Sequence, residues 1–346
     1  MIVNQTRPRI LHGPSNVAGF AGNIAKAQQA LGLNAISICL PNNFGYSADY
    51  LFAQNKPPKV SFSEFFLRHY LRFDVYHFYF DRTYTGVGLH DVRWLKKIGK
   101  KVIFTFLGCD IRDSQLETSR DPSSMCSACQ FNGCSPNRDA LSKLIPYLDA
   151  VYVTTPDLLR SAPEAEWIGL VIDEKMVRQE IPEGAPIYQP GTTLRLYHAP
   201  TDPIKKGTTF IEAAVSDLNA SGIKIELVGE ARLKNTEIWK DASTCHVAVD
   251  QLLSGVYGTF SVEMMAAGIP VISYMETELW NAHGRDLDGI INASTSNFAL
   301  ILKQIYTGEV DLGAQSELAQ ARFERLHRSS DLAAKIAESY APHLLA

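Results

Sequence analysis

Short apolar runs alternate with amphipathic stretches along most of the chain. The opening segments show the order clearly, with an apolar run at residues 9–13, helical spacing at 23–31 and a second apolar run at 35–40. Apolar runs rich in branched residues predict buried strands, and the stretches between them predict helices. Strands that alternate with helices are typical of a parallel sheet covered on both faces. The pattern therefore predicts an α/β protein.

The same alternation restarts after a Pro- and Gly-rich stretch at residues 180–193, which we interpret as a linker. With 346 residues, the chain is long enough for two domains that each have a core. We predict two doubly wound Rossmann-like domains that face each other, at residues 1–180 and 181–320. Residues 316–340 are strongly helical, and Arg322, Arg325 and Arg328 are expected on the polar side.

Composition narrows the class of protein. Hydrophobic residues make up 46% of the chain and charged residues 20%, values typical of a soluble globular protein. A net charge of -4 and a pI near 6.1 argue against a nucleic-acid partner, which would need a concentrated basic surface. The N-terminus lacks a basic segment followed by an apolar core, and no apolar run approaches the ~20 residues of a membrane span. We expect a cytoplasmic protein.

The stretch at residues 257–274, YGTFSVEMMAAGIPVISY, predicts a loop, a short helix and a buried strand. Gly258 lies where the loop gives way to the helix, and Thr259 or Ser261 is expected to cap it. Free amides at a helix start can hold a phosphate or diphosphate, while Glu263 could accept hydrogen bonds from sugar hydroxyls. The alternative is an ordinary helix with Glu263 on its solvent face.

The same stretch resembles the signature of retaining glycosyltransferases of the GT-B fold, family 4 or glycogen-synthase-like group, written E-G-F-G-x-x-x-x-E-A-M-A-x-G-x-P-V-I. Glu263 matches its second acid. The first acid falls on Gly255, or on Ser254 if the loop carries an insertion, and neither is a carboxylate. In the family the first acid contacts the donor hexose and the second the nucleotide ribose. The resemblance therefore implies nucleotide binding rather than a particular sugar.

The resemblance also implies an activity. It points to a transferase that moves a sugar, with retention, from a UDP- or GDP-sugar to an unidentified acceptor, which could be a glycan, a lipid-linked or a small molecule, as in polysaccharide biosynthesis. It implies no catalytic metal, an acceptor side in the first domain and a terminal helix at residues 321–346 that packs back on that domain. One alternative is a nucleotide-sugar-binding protein without transfer activity. Another is an interaction module.

Further donor-binding residues follow from the same resemblance. Lys206-Gly207 matches the family's K-G, whose lysine binds the donor phosphates. Lys205 adds a second positive charge at the start of the helix predicted at residues 208–219. The family's preceding arginine is Thr201 here. A glycine-containing first loop faces the diphosphate in the family. The predicted donor-binding set is Gly19, Gly22, Lys205, Lys206, Gly258, Thr259, Phe260 and Glu263.

Three residues are predicted to orient the acceptor. The phrase FDVYHFYF resembles the D-V-x-H-x-H strand end of family 4 enzymes, and His77 matches the first histidine. Asp110 and Arg112 follow the predicted strand at 101–106, at an edge where ligands bind in open α/β sheets. The family's histidine at this edge is Leu107 here. For Asp110 and Arg112 the alternative is an intramolecular ion pair or a cap.

The aromatic run at residues 73–79 is flanked by Arg68 and Arg72. Such a run could form a peripheral membrane contact or an acceptor-facing surface. The alternative is that it belongs to the core.

Four of the six cysteines lie in one region, residues 109–134. Cys126, Cys129 and Cys134 form C-x-x-C-x(4)-C, and Cys109 precedes them. A C-x-x-C turn with two further thiolates can hold one tetrahedral ion, so a structural zinc site is predicted here. Free thiols and redox chemistry are the alternatives.

Overall fold

The computed structural model describes residues 7–52, 59–60, 62–87, 89–129, 134–181, 183–231 and 233–340. The chain divides into two compact units. The first contains Met1–Asp113, Asn132–Ile172 and Ser329–Ala346, and the second contains Ser114–Phe131 and Asp173–Arg328.

The sheet of the first unit is parallel throughout. Within the described residues it has eight strands in the order β4-β3-β2-β1-β5-β6-β7-β8. Their bounds are β1 Arg9–His12, β2 Asn34–Cys39, β3 Tyr50–Phe52, β4 Lys59–Val60, β5 Val75–Tyr79, β6 Lys101–Phe106, β7 Ala150–Val153 and β8 Glu166–Trp167. The direction of winding reverses between β1 and β5, as it does in doubly wound folds.

The second unit has its own parallel sheet, whose order in the described part of the chain is β10-β9-β11-β12-β13. The strands are β9 Leu194–Tyr197, β10 Ile225–Val228, β11 Val247–Val249, β12 Val271–Ser273 and β13 Ile291–Asn292. In this sheet the direction of winding reverses between β9 and β11. Its core is mostly aliphatic and includes Leu196, Val249 and Ile272, all fully buried.

Helices cover both sheets. In chain order they are α1 Phe20–Ala30, α2 Phe62–Arg68, α3 His90–Lys97, α4 Ser114–Arg120, α5 Met125–Ala128, α6 Cys134–Ser142, α7 Glu174–Glu180, α8 Pro203–Lys206, α9 Thr208–Ala220, α10 Asn235–Ala242, α11 Thr259–Ala267, α12 Thr277–Ala282, α13 Phe298–Thr307, α14 Leu312–Leu326 and α15 Ser329–Glu338. Short 3-10 helices occupy Val17–Gly19, Tyr70–Arg72, Ile145–Tyr147 and Pro156–Arg160.

Residues 75–79 of the aromatic run form β5 and belong to the core, and Phe73 packs against it. All five residues of this strand are buried, with Tyr76 and Phe78 in the cluster on one face and Val75 and Tyr79 in the cluster on the other. A central parallel strand is covered on both faces, so its side chains pack in either direction. Of the two alternatives, the core position is therefore confirmed for the strand, and its side chains do not form a membrane-facing or acceptor-facing surface. No helix among the described residues is long and apolar enough to cross a bilayer.

The predicted helix at residues 316–340 is two helices. It breaks at His327 and Arg328 between α14, in the second unit, and α15, in the first. In the first unit, Gln28 of α1 donates its amide to the Tyr340 hydroxyl at 2.5 Å and contacts the Ala333 carbonyl oxygen at 3.4 Å. Helix α15 and Tyr340 therefore pack on α1 through a buried polar contact as well as through apolar side chains.

Arg322 does not lie on a polar face. It is buried, and its Nη1 donates to the carbonyl oxygens of Asp286 and Asp288 at 3.1 and 2.8 Å. The guanidinium lies 5.3 Å from the ring of Tyr257 and 5.2 Å from that of Trp280. Desolvation of this charge is offset by the carbonyls and the aromatic faces.

The division of the chain differs from the predicted boundaries in two places. The second unit begins at Asp173 rather than at 181, because Arg178 of α7 donates to the Ala266 carbonyl oxygen of α11 at 3.1 Å. The segment 114–131, which comes from the middle of the first domain's sequence, folds with the second unit. There the Met125 amide donates to the Leu253 carbonyl oxygen at 2.9 Å.

Gly22 of α1 allows a close approach between helix and loop, so Gly22→Ala should destabilise the protein. A Cβ at this position would lie 2.2 Å from the Ser47 carbonyl oxygen, and a backbone atom cannot move aside cheaply. We expect a loss of about 1–3 kcal/mol in the free energy of unfolding, measured by urea denaturation. Gly313→Ala in α14 is the matched control, since its Cβ would meet only the flexible Asp311 carboxylate at 3.2 Å. Equal stability of the two variants would contradict this account.

Candidate functional site

The second sheet brings the main candidate residues together at one edge. β9 and β11 are parallel neighbours, and the sheet reverses between them. The loops that leave their carboxyl ends therefore diverge and open a crevice, which is the usual ligand position in a doubly wound sheet. The loop after β9 leads to Lys206, and Asp250 directly follows β11.

Lys206 ends a single helical turn. The Asp202 carboxylate accepts from the Lys205 amide at 3.3 Å and begins α8, while Gly207 ends it with a φ of 78°. The Nζ of Lys206 donates to Asp250 Oδ1 at 2.5 Å, and the lysine side chain is only 19% exposed. Lys205 differs, since its Nζ lies 3.4 Å from Asp202 Oδ2. The two lysines therefore have different partners, and Lys206 is the one that lies where the direction of winding reverses, between β9 and β11.

Asp250 is buried and joins three groups. Besides Lys206, it accepts hydrogen bonds at Oδ2 from the Gly258 amide and the Ser261 hydroxyl, both at 2.7 Å. Burial alone would raise the pKa of Asp250, but Lys206 and these two donors lower it below its usual range. The carboxylate therefore stays ionised. Asp250 also satisfies the backbone at the start of α11, a role that the sequence assigned to Thr259 or Ser261; that prediction was wrong.

The start of α11 therefore lies close to the Lys206 ammonium, because the Gly258 amide and Lys206 both contact Asp250. The first amides of a helix have no intrahelical acceptor and carry partial positive charge. Thr259 and Phe260 stand in this first turn and are partly exposed, and the Phe260 ring lies 6.0 Å from that of Tyr197. Together with Lys206, this turn has the donor groups that a phosphate or diphosphate requires.

Glu263 lies one turn into α11 and is 4% exposed, so the surface position considered as an alternative is excluded. Burial raises the pKa of Glu263 to about 8; the indole N–H of Trp239 opposes this rise and the charge of Asp250 adds to it. At neutral pH the side chain is therefore mostly a neutral carboxylic acid, which can both donate and accept a hydrogen bond.

His198, which sequence reasoning did not single out, fixes the loop after β9. Its Nδ1 lies 2.9 Å from the Val249 carbonyl oxygen and its Nε2 2.9 Å from the Thr208 hydroxyl. Because a carbonyl can only accept, Nδ1 carries the proton, and the burial that lowers the pKa of this histidine keeps the ring neutral. The available signal was a polar residue directly after a buried strand.

The two glycines predicted to face the donor diphosphate are approached by protein atoms instead. A Cβ on Gly19 would lie 2.8 Å from the ring of Tyr46, and one on Gly22 would meet Ser47. The Gly22 amide donates to Asn16 Oδ1 at 3.0 Å. These glycines allow the segment around Tyr46 and Ser47 to pack on α1, which gives a structural reason for both.

His77 lies inside the first unit. It is fully buried, its Nε2 is 2.7 Å from the Thr105 hydroxyl, and its ring stacks on Tyr79 at 4.3 Å. Burial, with a contribution from His12, holds the pKa of His77 well below its ordinary value. A neutral ring packed in this way gives no support to the prediction that His77 orients an acceptor.

Asp110 and Arg112 follow the alternative considered for them, a cap and an ion pair. The Asp110 carboxylate accepts from the amides of Leu107 and Gly108 at 3.0 and 2.6 Å. Burial raises its pKa to about 6, against the effect of those amides and of Arg112. Arg112 pairs with the buried Asp157 at 2.5 Å. Both side chains hold the loop after β6 in shape.

The structure does not support the predicted zinc site. Cys109 and Cys134 belong to the first unit, while Cys126 and Cys129 belong to the second. Among the residues described, no group of three or more histidine, cysteine, aspartate or glutamate side chains could hold a metal ion. The four cysteines are close together along the sequence, but they belong to two different units.

The sequence matches no protein-family model and no curated protein. Solved structures, in contrast, resemble it over nearly its whole length. Sucrose-phosphate synthase from Thermosynechococcus elongatus has a TM-score of 0.65 at 13% identity and covers 98% of this chain and 99% of its own. HepE from Anabaena, in complex with UDP-glucose, has a TM-score of 0.59 at 10% identity and covers 96% and 99%. A glycosyltransferase from Rickettsia africae has a TM-score of 0.59 at 14% identity and covers 98% and 99%.

These likenesses confirm the predicted fold class. The chain has the α/β architecture of GT-B glycosyltransferases, with two parallel sheets flanked by helices.

Replacement of Asp250 by Asn should leave Lys206 without its anionic partner. We expect a loss of about 2–3 kcal/mol in the free energy of unfolding at pH 7, below the range for fully buried pairs because Lys206 is partly exposed. The lowered pKa of Asp250 means that this contribution is present above the unfolded pKa of about 3.9 and is lost as pH falls through the folded value. Urea denaturation at pH 7 and pH 3 measures the free energy of unfolding of wild type and of Asp250→Asn. A difference between the two proteins that is the same at both pH values would refute the ionic role of Asp250.

The stability contributed by Glu263 should depend on pH in the opposite direction to that of Asp250, and replacement of Glu263 by Gln tests this. The folded protein holds a proton on Glu263 up to a pKa of about 8, whereas the unfolded chain releases it near about 4.3. Stability from this group is thus fully present below the unfolded value and is lost as pH rises through 8. Relative to wild type, Glu263→Gln should gain stability between pH 5 and pH 8, as followed by thermal denaturation. Exposed Glu278→Gln is the control, and a pH-independent difference for Glu263→Gln would show that its carboxyl group titrates normally.

Proposed function

We propose that this protein is a retaining, family-4-like glycosyltransferase that moves a sugar from a UDP- or GDP-sugar to an acceptor hydroxyl. The observation that supports this most directly is the arrangement of Lys206, Asp250 and the start of α11 at the reversal of the second sheet. It combines a positively charged side chain with free helix amides at the usual position for a ligand in such a sheet.

The nucleotide part of the proposal has support from structural neighbours. HepE was solved with UDP and with UDP-glucose, and an alpha-glucosyltransferase with a TM-score of 0.60 at 10% identity was solved with UDP and DNA. The common ligand is a nucleoside diphosphate. A diphosphate is also the group that the start of α11 and Lys206 are suited to bind.

In the proposed reaction the bond between the sugar's anomeric carbon and the diphosphate breaks, and negative charge develops on the leaving diphosphate. The acceptor oxygen bonds to the same carbon, and its proton passes to the leaving diphosphate. Lys206 and the amides of Thr259 and Phe260 would stabilise that charge. Asp250 would hold the Lys206 ammonium in position before the donor binds. Glu263 would share hydrogen bonds with the ribose hydroxyls, since its neutral carboxyl group can serve as both donor and acceptor.

A second candidate is a nucleotide-sugar-binding protein without transfer activity. Two observations favour it. Family 4 glycosyltransferases have their first acid where this chain has Gly255, and both Asp110 and Arg112 are bonded to other groups of the protein. Incubation with UDP-glucose or GDP-mannose and cell extract as a source of acceptors separates the two. Release of free UDP or GDP that depends on the extract supports transfer, while binding without release supports the second candidate.

Lys206→Ala should weaken binding of UDP by about 1–3 kcal/mol in calorimetry, because a charge-assisted hydrogen bond to the diphosphate is lost. Lys303→Ala on α13 is the control, since this exposed lysine removes the same charge away from the loops after β9 and β11. Circular dichroism should confirm that the Lys206 variant is folded, as it leaves Asp250 buried without its ammonium. Wild-type affinity in the folded Lys206 variant would exclude this lysine from the site.

A further inference from the structure

A third loop reaches the same edge of the second sheet. β12 is the parallel neighbour of β11, and Glu276 lies three residues beyond its carboxyl end. Neighbouring strands lie about 4.8 Å apart, so the loops after β9, β11 and β12 emerge side by side. Glu276 therefore adds a carboxylate to the edge that already has Lys206 and Asp250.

The carboxyl group of Glu276 lies against Gly255. A Cβ built on this glycine would be 3.2 Å from Glu276 Cβ and 3.5 Å from Glu276 Oε2. Gly255 has a φ of 70°, a left-handed conformation that an L side chain adopts only with strain. The space where a side chain of residue 255 would begin is thus next to a carboxylate supplied by a different loop.

Two hydrogen bonds hold the loops together at this point. The Glu276 amide and the Trp280 indole N–H both donate to the Gly255 carbonyl oxygen, at 2.9 and 3.2 Å. The loop after β11 and the start of α12 are therefore fixed relative to each other, and the Glu276 backbone cannot drift away from Gly255.

Arg120 orients the carboxylate from the other side. Its Nη2 donates to Glu276 Oε1 at 2.6 Å, and it comes from α4, within the segment 114–131 that folds with this unit. Glu276 raises the pKa of Arg120, as expected for a pair that favours both charges. The Glu276 side chain is 21% exposed, so its oxygens remain within reach of solvent. An ionised carboxylate has about four acceptor sites.

We propose that Glu276 accepts hydrogen bonds from the hydroxyls of the donor's hexose, and that Arg120 acts as its positioning residue. The carboxylate that the sequence lacks at position 255 would then be provided from the loop after β12. This rests on the proposed function, because the ligand is a nucleotide sugar at the same edge of the sheet. It also sets a preference: a neutral hexose can donate to Glu276, whereas a uronic acid would bring a second carboxylate beside it.

Calorimetry with UDP and UDP-glucose, and with GDP and GDP-mannose, tests the proposal. Glu276→Gln should lower affinity for the sugar nucleotides about tenfold, since hydrogen bonds to a charged acceptor become hydrogen bonds to a neutral amide. Affinity for the free nucleotides should stay within about twofold. Glu278→Gln is the matched control, because this exposed glutamate lies two residues further on, in α12, and should change neither affinity.

Discrimination against UDP-glucuronate gives a readout that a structural role alone would not change. Wild type should bind UDP-glucose more tightly than UDP-glucuronate. Glu276→Gln should reduce this difference in affinity, because the repulsion between the Glu276 carboxylate and the uronate carboxylate is removed. Arg120→Met should lower the melting temperature and weaken sugar-nucleotide binding less than Glu276→Gln does. Glu276→Asp, which keeps the charge, should discriminate against UDP-glucuronate as wild type does and serves if the Gln variant fails to fold.

The outcomes distinguish failure of the proposed function from failure of the role proposed for Glu276. If wild type binds none of the four nucleotides, the proposed function fails. If wild type binds them and Glu276→Gln retains both its sugar-nucleotide affinity and its discrimination, Glu276 is only the partner of Arg120 and the further inference is overturned.

Discussion

The buried carboxylate of Asp250 is the group on which the candidate site depends. It lies directly after β11 and accepts from Lys206, the Gly258 amide and the Ser261 hydroxyl. Through these contacts one side chain connects the loop after β9 to the start of α11. Its burial is compensated because all three partners are donors, which keeps the group ionised without water. Lys206 would otherwise have many rotamers in solvent, and here it is held in one.

The neighbouring groups show how charge is distributed around that contact. Glu263 lies in α11. Burial, with a contribution from the charge of Asp250, raises its pKa and keeps it mostly neutral near pH 7. His198 is neutral for a related reason, as burial and the nearby Lys206 disfavour its protonation. The ion pair of Lys206 and Asp250 therefore has two neutral ionisable neighbours, Glu263 and His198. The charge of Asp250 is already offset by Lys206, so this carboxylate would repel an incoming diphosphate less than an unpaired one.

Local signals were enough to predict much of the second unit. Gly258 and Gly268 bracket α11 in the sequence and do so in the structure, where Gly268 adopts a φ of 73°. The alternation of strands and helices likewise predicted the two parallel sheets. Contacts between residues distant in sequence were not predictable in this way. Asp250 as the acceptor for Gly258, Ser47 beside Gly22 and the burial of Arg322 all depend on which loops the fold brings together. For His77, a strand buried on both faces has no polar alternation that would indicate whether a side chain can reach a ligand.

The path of the chain has a practical consequence for anyone who wishes to study the units apart. Neither unit is a continuous stretch of sequence, because residues 114–131 fold with the second unit and Ser329 onward with the first. A fragment beginning at Asp173 would lack Met125, which hydrogen-bonds to Leu253, and Arg120, which pairs with Glu276. A single cut cannot therefore yield two intact halves. One face of the first sheet packs against side chains of α15, so that face is not fully covered until α15 has been synthesised.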